Sequence, residues 1–397
     1  MNKVNYNKTF LLGFGFFAIS ITWAIYNAFI PKILSNYIES TTVIGFIMTI
    51  DNYFALFLQP TVGILSDRVN TRFGKRMPFI MVGMPLAVIF IILLANYTNF
   101  VTLIVFLVCM NLSMSIFRSP VVSLMPDITH VENRSMANSI INFMGGIGSV
   151  IAYFVGSILW KKNNAYPFYL AAILVFLSFV ILFNFIKEKR DVINYNMEVK
   201  QNMGLIEGIK AIPNKKQTIL LLLGIMAWFI GFNGIETFFT LYGDKFLGVS
   251  VSSAALSFTF ISLAFLIFAI PAGIIGTKAG KKTTIKIGIA GMILCFIIIF
   301  FLRSIILIRI MFIFSGIFWA LININSYPFV TEMAPEGQLG TFTGFYYLFA
   351  SLASIISPPL LGLIIDITGY KYMFLYPAFF FTLAFIFIFN MKAYKTT

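Results

Sequence analysis

Long apolar runs separated by short polar breaks dominate the chain. Twelve of them, roughly 10–31, 42–65, 78–96, 100–124, 137–160, 166–186, 217–242, 251–276, 285–302, 304–330, 339–363 and 371–390, approach or exceed about 20 residues. Runs of that length match the hydrocarbon thickness of a bilayer. Inside lipid a helix satisfies its own backbone groups, so the pattern predicts an all-α integral membrane protein of 12 transmembrane helices. The ninth and tenth runs are separated only by the break "FLRSII". The first run is a full spanning length without a small-residue cleavage site, so it is expected to stay as a span.

Composition removes the soluble alternative. The chain is 59% hydrophobic and 11% charged, with 47 phenylalanines in 397 residues, too little charge to cover a water-facing surface. Its net charge of +14 would point to nucleic acid in a soluble protein. Here the placement explains it. With both termini cytoplasmic, 20 basic residues fall on the inner side: Lys3, Lys8, Arg68, Arg72, Lys75, Arg76, Arg134, seven between Lys187 and Lys216, Lys278, Lys281, Lys282, Lys286, Lys392 and Lys395. Six fall outside and two, Arg118 and Arg309, within spans. This is the positive-inside bias of a multi-pass cell-membrane protein, with the bilayer as its partner and no nucleic acid required.

The longest polar stretch, about 187–216, separates six spans from six. The expected organisation is an N-terminal six-helix bundle (1–190), a partly helical cytoplasmic linker (191–216) and a C-terminal six-helix bundle (217–397). Within the linker, "MGLIEGIKAIPNKK" has helix-like apolar spacing. It can lie along the inner surface or simply connect the halves. Two internal echoes support the division. "QPTVGILSDRVNTRFGKR" after the second span is answered by "PAGIIGTKAGKK" after the eighth, and "FRSPVVSLMPD" at the end of the fourth by "NSYPFVTEMAPE" at the end of the tenth.

Ionisable side chains at membrane depth are costly unless they face a partner, the bundle interior or water. Four stand out: Asp51, Arg118, Glu236 and Arg309. Glu236 and Arg309 lie at similar depth and can neutralise one another. Asp51, beside Asn52 with no basic residue in its own span, can exchange a proton near neutral pH. Arg118 stays charged and offers five donors in a fork, and Pro120 just beyond it can open the helix and free a carbonyl. Asp51, Arg118 and Glu236 are the candidates for proton coupling.

Amides and aromatic rings complete a candidate substrate surface: Trp23, Tyr26 and Asn27 in the first span, Asn52 and Gln59 in the second, Asn142 in the fifth, Trp228 and Asn233 in the seventh, and Trp319, Asn323, Asn325 and Tyr327 in the tenth. With Arg118 and Glu236, such groups suit a hydroxyl-rich small molecule, rings covering its apolar faces and amides meeting its hydroxyls. Each is equally suited to a helix–helix contact. Nothing indicates an enzyme. There is no Walker loop or nucleophile elbow, and the single His130 has no cysteine or second histidine near it in sequence. Cys109 and Cys295 both fall inside spans, and no cofactor or metal is implied.

The stretch "GILSDRVNTRFGKRMPF" resembles the loop between spans two and three of major facilitator superfamily transporters, in the form found in glycoside–pentoside–hexuronide:cation symporters and plant sucrose:proton symporters. "FRSPVVSLMPDIT" and "SYPFVTEMAPEGQLGTFTG" are similar to sucrose-type segments. The resemblance implies two six-helix halves that expose a central site alternately, with Arg118 in substrate binding or coupling and Asp127 as the inner acidic residue. Gln59 stands where melibiose-type carriers have a sodium-binding aspartate, which favours protons. The expectation is a monomeric proton-coupled sugar or glycoside symporter. The alternatives are an exporter or carrier of amphiphiles, drugs or lysolipid, and a non-transporting membrane sensor. Asp67, Arg68, Arg72, Arg76 and Asp127 are the expected cytoplasmic gate.

Overall fold

The computed structural model describes residues 6–130, 133–188, 215–334 and 338–391. The expected linker therefore lies outside the described residues up to 214. The described chain is helical almost throughout: α1 (Tyr6–Leu34), α2 (Thr41–Met48), α3 (Ile50–Arg68), α4 (Met77–Ala95), α5 (Phe100–Asp127), α6 (Arg134–Lys162), α7 (Tyr166–Phe185), α8 (Lys215–Lys245), α9 (Val251–Ala279), α10 (Lys281–Phe301), α11 (Ile305–Glu332), α12 (Leu339–Thr368) and α13 (Leu375–Phe389). Taking α2 and α3 together, and α13 with the turn before it, these make 12 segments long and apolar enough to cross a membrane. The break at "FLRSII" separates α10 from α11, with Arg303 exposed between them.

Local signals place several ends. Asn99 caps α5 in a reciprocal capping box with Thr102, satisfying two backbone donors that open a helix. Proline sits in the first turn of α4 and of α7, where its missing N–H costs nothing.

Helix continuity has two notable features. The second span is not one helix, because it breaks at Thr49. The Thr49 hydroxyl donates to the Phe46 carbonyl at 2.9 Å, and such local bonding competes with the helix ladder. Conversely, α5 runs unbroken through Pro120 and Pro126. Phe117, beside Pro120, is fully buried, and its backbone packs tightly on Gly83 of α4. That packing holds the helix although proline withdraws one donor.

The chain forms two compact units. One comprises Met1–Tyr37, Ile50–Asn196 and Val251–Thr259; the other comprises Ile38–Thr49, Met197–Ser250 and Phe260–Thr397. Helix pairings repeat within them. α1 packs on α6 and α7, and α4 on α5 and α7; correspondingly α8 packs on α12 and α13, and α10 on α11 and α13.

In the second unit α2 is held against α12. Asp366 accepts the Thr41 and Thr42 amides at 2.7 and 3.0 Å and the hydroxyls of Ser40, Thr41 and Thr42 at 2.6–2.7 Å. A carboxylate there also complements the positive end of the α2 dipole. One turn on, Gly45 lies so close to Pro358 that a Cβ would meet its carbonyl oxygen at 2.5 Å.

Candidate functional site

The charged stretch 66–78 folds as a clasp within the first unit. Gly74 has φ of 115°, a backbone conformation open to glycine at little cost, and turns the chain between α3 and α4. The three amides that follow, of Lys75, Arg76 and Met77, all donate to the Glu188 carboxylate at 2.8–3.0 Å. Glu188 is itself buried, so one acidic residue satisfies the open N-terminus of α4. The buried Arg76 guanidinium bonds Asp127 at 3.0 Å and also holds Asp67, Ser66 and the Gly63 carbonyl. Of the expected gate, Asp67, Arg76 and Asp127 come together. Arg68 and Arg72 do not: both are exposed, and Arg72 lies over the Phe73 ring.

The second unit repeats the device. Gly280 takes φ of 85° before α10. Lys281 pairs with Glu332 at the end of α11, and Lys282 donates to the Met391 carbonyl beyond α13. In each unit the basic loop is thus tied to the ends of its fourth and sixth spans. The first echo therefore marks equivalent attachment points in the two units, made by different bonds.

Midway along the first unit lies a polar cluster. Trp23 and Tyr26 meet edge to face at 5.4 Å. Tyr26 lies in hydrogen-bonding range of Asn111 and in electrostatic range of Asp51. Asn52 donates to Asp51 at 2.9 Å. Asn111 is fully buried, and neither its amide nitrogen nor its amide oxygen has a hydrogen-bond partner within geometric limits; the same holds for Trp23 Nε1. Leaving such groups unpaired is costly, so they mark a place built for more than packing. Asn27, Gln59 and Arg118 are half-buried on α1, α3 and α5. Asn142 is exposed, and its amide bonds Asn138 one turn back.

The second unit is aromatic where the first is polar. Phe232 stacks on Trp319 with centroids 4.2 Å apart and planes 2° from parallel. Phe229 meets Trp319 and Tyr346 edge-on at 5.7 and 6.4 Å, and Phe381 closes on Trp319 at 6.4 Å. Tyr346 bonds Ser326, and Tyr327 bonds Thr343. Asn233 reaches Ser354 on α12 at 2.8 Å. Trp228 is fully buried with its indole N–H unpaired. Glu236 is half-buried one turn beyond Phe232, Asn323 is half-buried on α11, and Arg309 lies 5.9 Å from the Phe260 ring centroid. Asn325 is spent elsewhere: its amide donates to the Ala272 and Leu321 carbonyls at 3.0 Å, tying α11 to α9.

Three functional candidates escaped the sequence reading. Glu188 sits in a charge run that reads as linker. Asn111 is a lone amide in "VCMNLSM", which the search for amides could have caught. Asp366 lies at a span end, where an acid looks unremarkable. Among the described residues, no group of three or more His, Cys, Asp or Glu side chains could hold a metal ion.

Twelve spanning helices in two repeated bundles define a secondary-transporter fold, and residues 12–358 and 247–396 match the Major Facilitator Superfamily. The chain belongs to that superfamily and is a secondary active, alternating-access transporter. It is 23% identical to an uncharacterized MFS-type transporter of Methanocaldococcus jannaschii, over 88% of this chain and 86% of that one. It is equally 23% identical to the fosmidomycin resistance protein of Escherichia coli, over 89% and 84%. Identity to the mouse proton-associated sugar transporter A is 28%, but over 37% of this chain and 22% of that one. Among solved structures, the nucleoside transporter NupG superposes with a TM-score of 0.78 at 15% identity, covering 97% of this chain and all of that one. A bacterial homologue of human lysosomal Spinster gives 0.76 at 15%, covering 98% and 97%. The relatives span several kinds of carrier, and membership is established at the level of the superfamily.

Proposed function

We propose that this transporter carries amphiphilic organic compounds, drug-like or lipid-like, in exchange or symport with protons. The observation that carries the reading is the aromatic wall of Phe229, Phe232, Trp319 and Tyr346. Stacked and edge-on rings offer a rigid apolar surface at little entropic cost, which suits a ring or hydrocarbon moiety better than a ring of hydroxyls. The likeness to a fosmidomycin resistance protein, over 89% of this chain and 84% of that one, favours a drug-like substrate over a sugar. Asp51 is the proposed proton site, because it is the carboxylate of the polar cluster and bonds an uncharged amide. Glu236 and Arg309 are proposed as a pair that fixes α8 against α11.

A second reading, proton-coupled sugar symport, is favoured by two likenesses. The likeness to proton-associated sugar transporter A covers 163 residues at 28% identity, and the loop after the second span resembles sucrose symporters. A thermal-shift panel on the purified protein separates the two. Stabilisation by aromatic amphiphiles and not by mono- or disaccharides supports the first reading; the reverse order replaces it with the second.

A further inference from the structure

We infer that Asn233 selects among substrates at the aromatic wall, by accepting a hydrogen bond from an O–H or N–H group on the substrate's aromatic part. This rests on the reading of Phe229, Phe232, Trp319 and Tyr346 as the binding surface. It adds the chemical class of ligand: an aromatic amphiphile with a donor on its ring.

Phe229, Phe232, Asn233 and Glu236 of α8 are half-buried, whereas Ile230, Gly231, Gly234 and Ile235 are buried. Spacings of three and four place the half-buried set on one stripe of the helix. Both rings of the stripe reach Trp319, and Phe229 also reaches Tyr346. The Asn233 amide therefore stands at the edge of the aromatic surface.

The amide's orientation follows from a single proton. The Ser354 hydroxyl donates to the Ala350 carbonyl at 3.1 Å. A hydroxyl has one proton, so toward Asn233 it can only accept, and it takes the Nδ2 donor at 2.8 Å. The amide is held with its nitrogen toward α12 and its carbonyl oxygen turned away. Among the described residues no donor reaches that oxygen, and it is not sealed from solvent as the Asn111 amide is.

One turn along α12 the packing behind the amide is locked. Fully buried Ser357 donates to the Ile230 carbonyl, and the Tyr376 hydroxyl of α13 donates to Ser357 at 3.2 Å. A Cβ on Gly234 would lie 2.9–3.0 Å from Leu361, Ser357 and Tyr376. These contacts bracket Asn233 along α8, so its oxygen is a preorganised acceptor rather than the tip of a mobile side chain. Ser354 is the positioning residue.

The test uses the full chain in detergent with 4-octylphenol and 4-octylanisole. Both carry the ring, the alkyl chain and the oxygen, so the second amide N–H of Asn233 is served alike and the O–H donor is what differs. Affinities would be read from ligand-induced shifts in melting midpoint. The wild type should prefer the phenol about fivefold, the size of one net hydrogen bond. Asn233→Ala should bring the ratio near one, and Ser354→Ala should at least halve it. A merely structural role for Ser354 would weaken both ligands together and keep the ratio. The ratio is taken within each variant, so a destabilised variant still reports. Equal affinities in the wild type, with both ligands weakened by Trp319→Ala, would overturn the role of Asn233 and leave the wall standing. A preference that survives Asn233→Ala would assign the donor to another acceptor, such as Glu236, and overturn it as well. Binding of neither ligand to the wild type would overturn the wall and the inference together.

Discussion

Phe232 of α8 lies flat against Trp319 of α11, 4.2 Å between centroids and 2° from parallel. Two helices of the second unit thereby share one aromatic surface, extended by Phe229 and Tyr346. If this surface receives the apolar part of the substrate, Trp319→Ala should weaken binding about tenfold, on the order of 1.4 kcal/mol. Trp319→Phe should restore most of it. Ligand-induced shifts in melting midpoint measure both. Equal binding by wild type and Trp319→Ala would remove the wall from the site.

The two clasps join equivalent span ends through different bonds and differ in load. Arg76 is buried and bonds Ser66, Asp67 and Asp127, the two carboxylates being 60% and 32% exposed. Arg76→Gln therefore loses charge-assisted hydrogen bonds and should cost about 1.5–3 kcal/mol. The cation of the second clasp, Lys281, is more exposed than Arg76, and Lys281→Gln should cost about 1 kcal/mol or less. Denaturation of the two variants in the same detergent tests the contrast. Equal losses would mean that the first clasp is no more than a surface pair.

Asn111 is fully buried beside the Tyr26 phenol, and its amide makes no hydrogen bond of good geometry. Asn111→Leu should therefore raise the melting midpoint of the ligand-free protein, by about 1 kcal/mol of stability, and reduce transport at least several-fold. A variant that melts early and transports normally would show that the amide serves packing alone.

Asp366 satisfies the first amides of α2, and a lost cap of this kind costs about 1–2 kcal/mol. In Asp366→Ala the Thr41 and Thr42 amides should exchange with solvent at least tenfold faster, read by hydrogen–deuterium exchange. Unchanged protection would mean that the close approach of Gly45 to Pro358 holds α2 without the carboxylate.

How much of this the sequence carried follows from physical range. Span lengths are set by the bilayer, so 12 helices were legible even across "FLRSII". The clasp was half legible. A glycine before paired basic residues signals a turn, but nothing local distinguishes the buried Arg76 from the exposed Arg68 and Arg72. Glu188 reaches the turn over more than 110 residues of intervening chain, a relation no spacing encodes. The Thr49 break and the unbroken course of α5 depend on a hydroxyl's local bonding and on Phe117 packing against Gly83, which override the usual weight given to proline. Among amides, type alone does not separate Asn325, tying two helices, from Asn111, buried beside Tyr26 without a well-formed hydrogen bond.

Transport across a sealed bilayer tests the proposed function most directly. Proteoliposomes with an imposed pH gradient would be given a labelled aromatic amphiphile or a labelled disaccharide, with protein-free vesicles as the baseline. The expected result is gradient-driven movement of the amphiphile above baseline, no movement of the disaccharide, and loss of the gradient dependence in Asp51→Asn. Movement of the disaccharide alone, or amphiphile flux no greater than in protein-free vesicles, would contradict it.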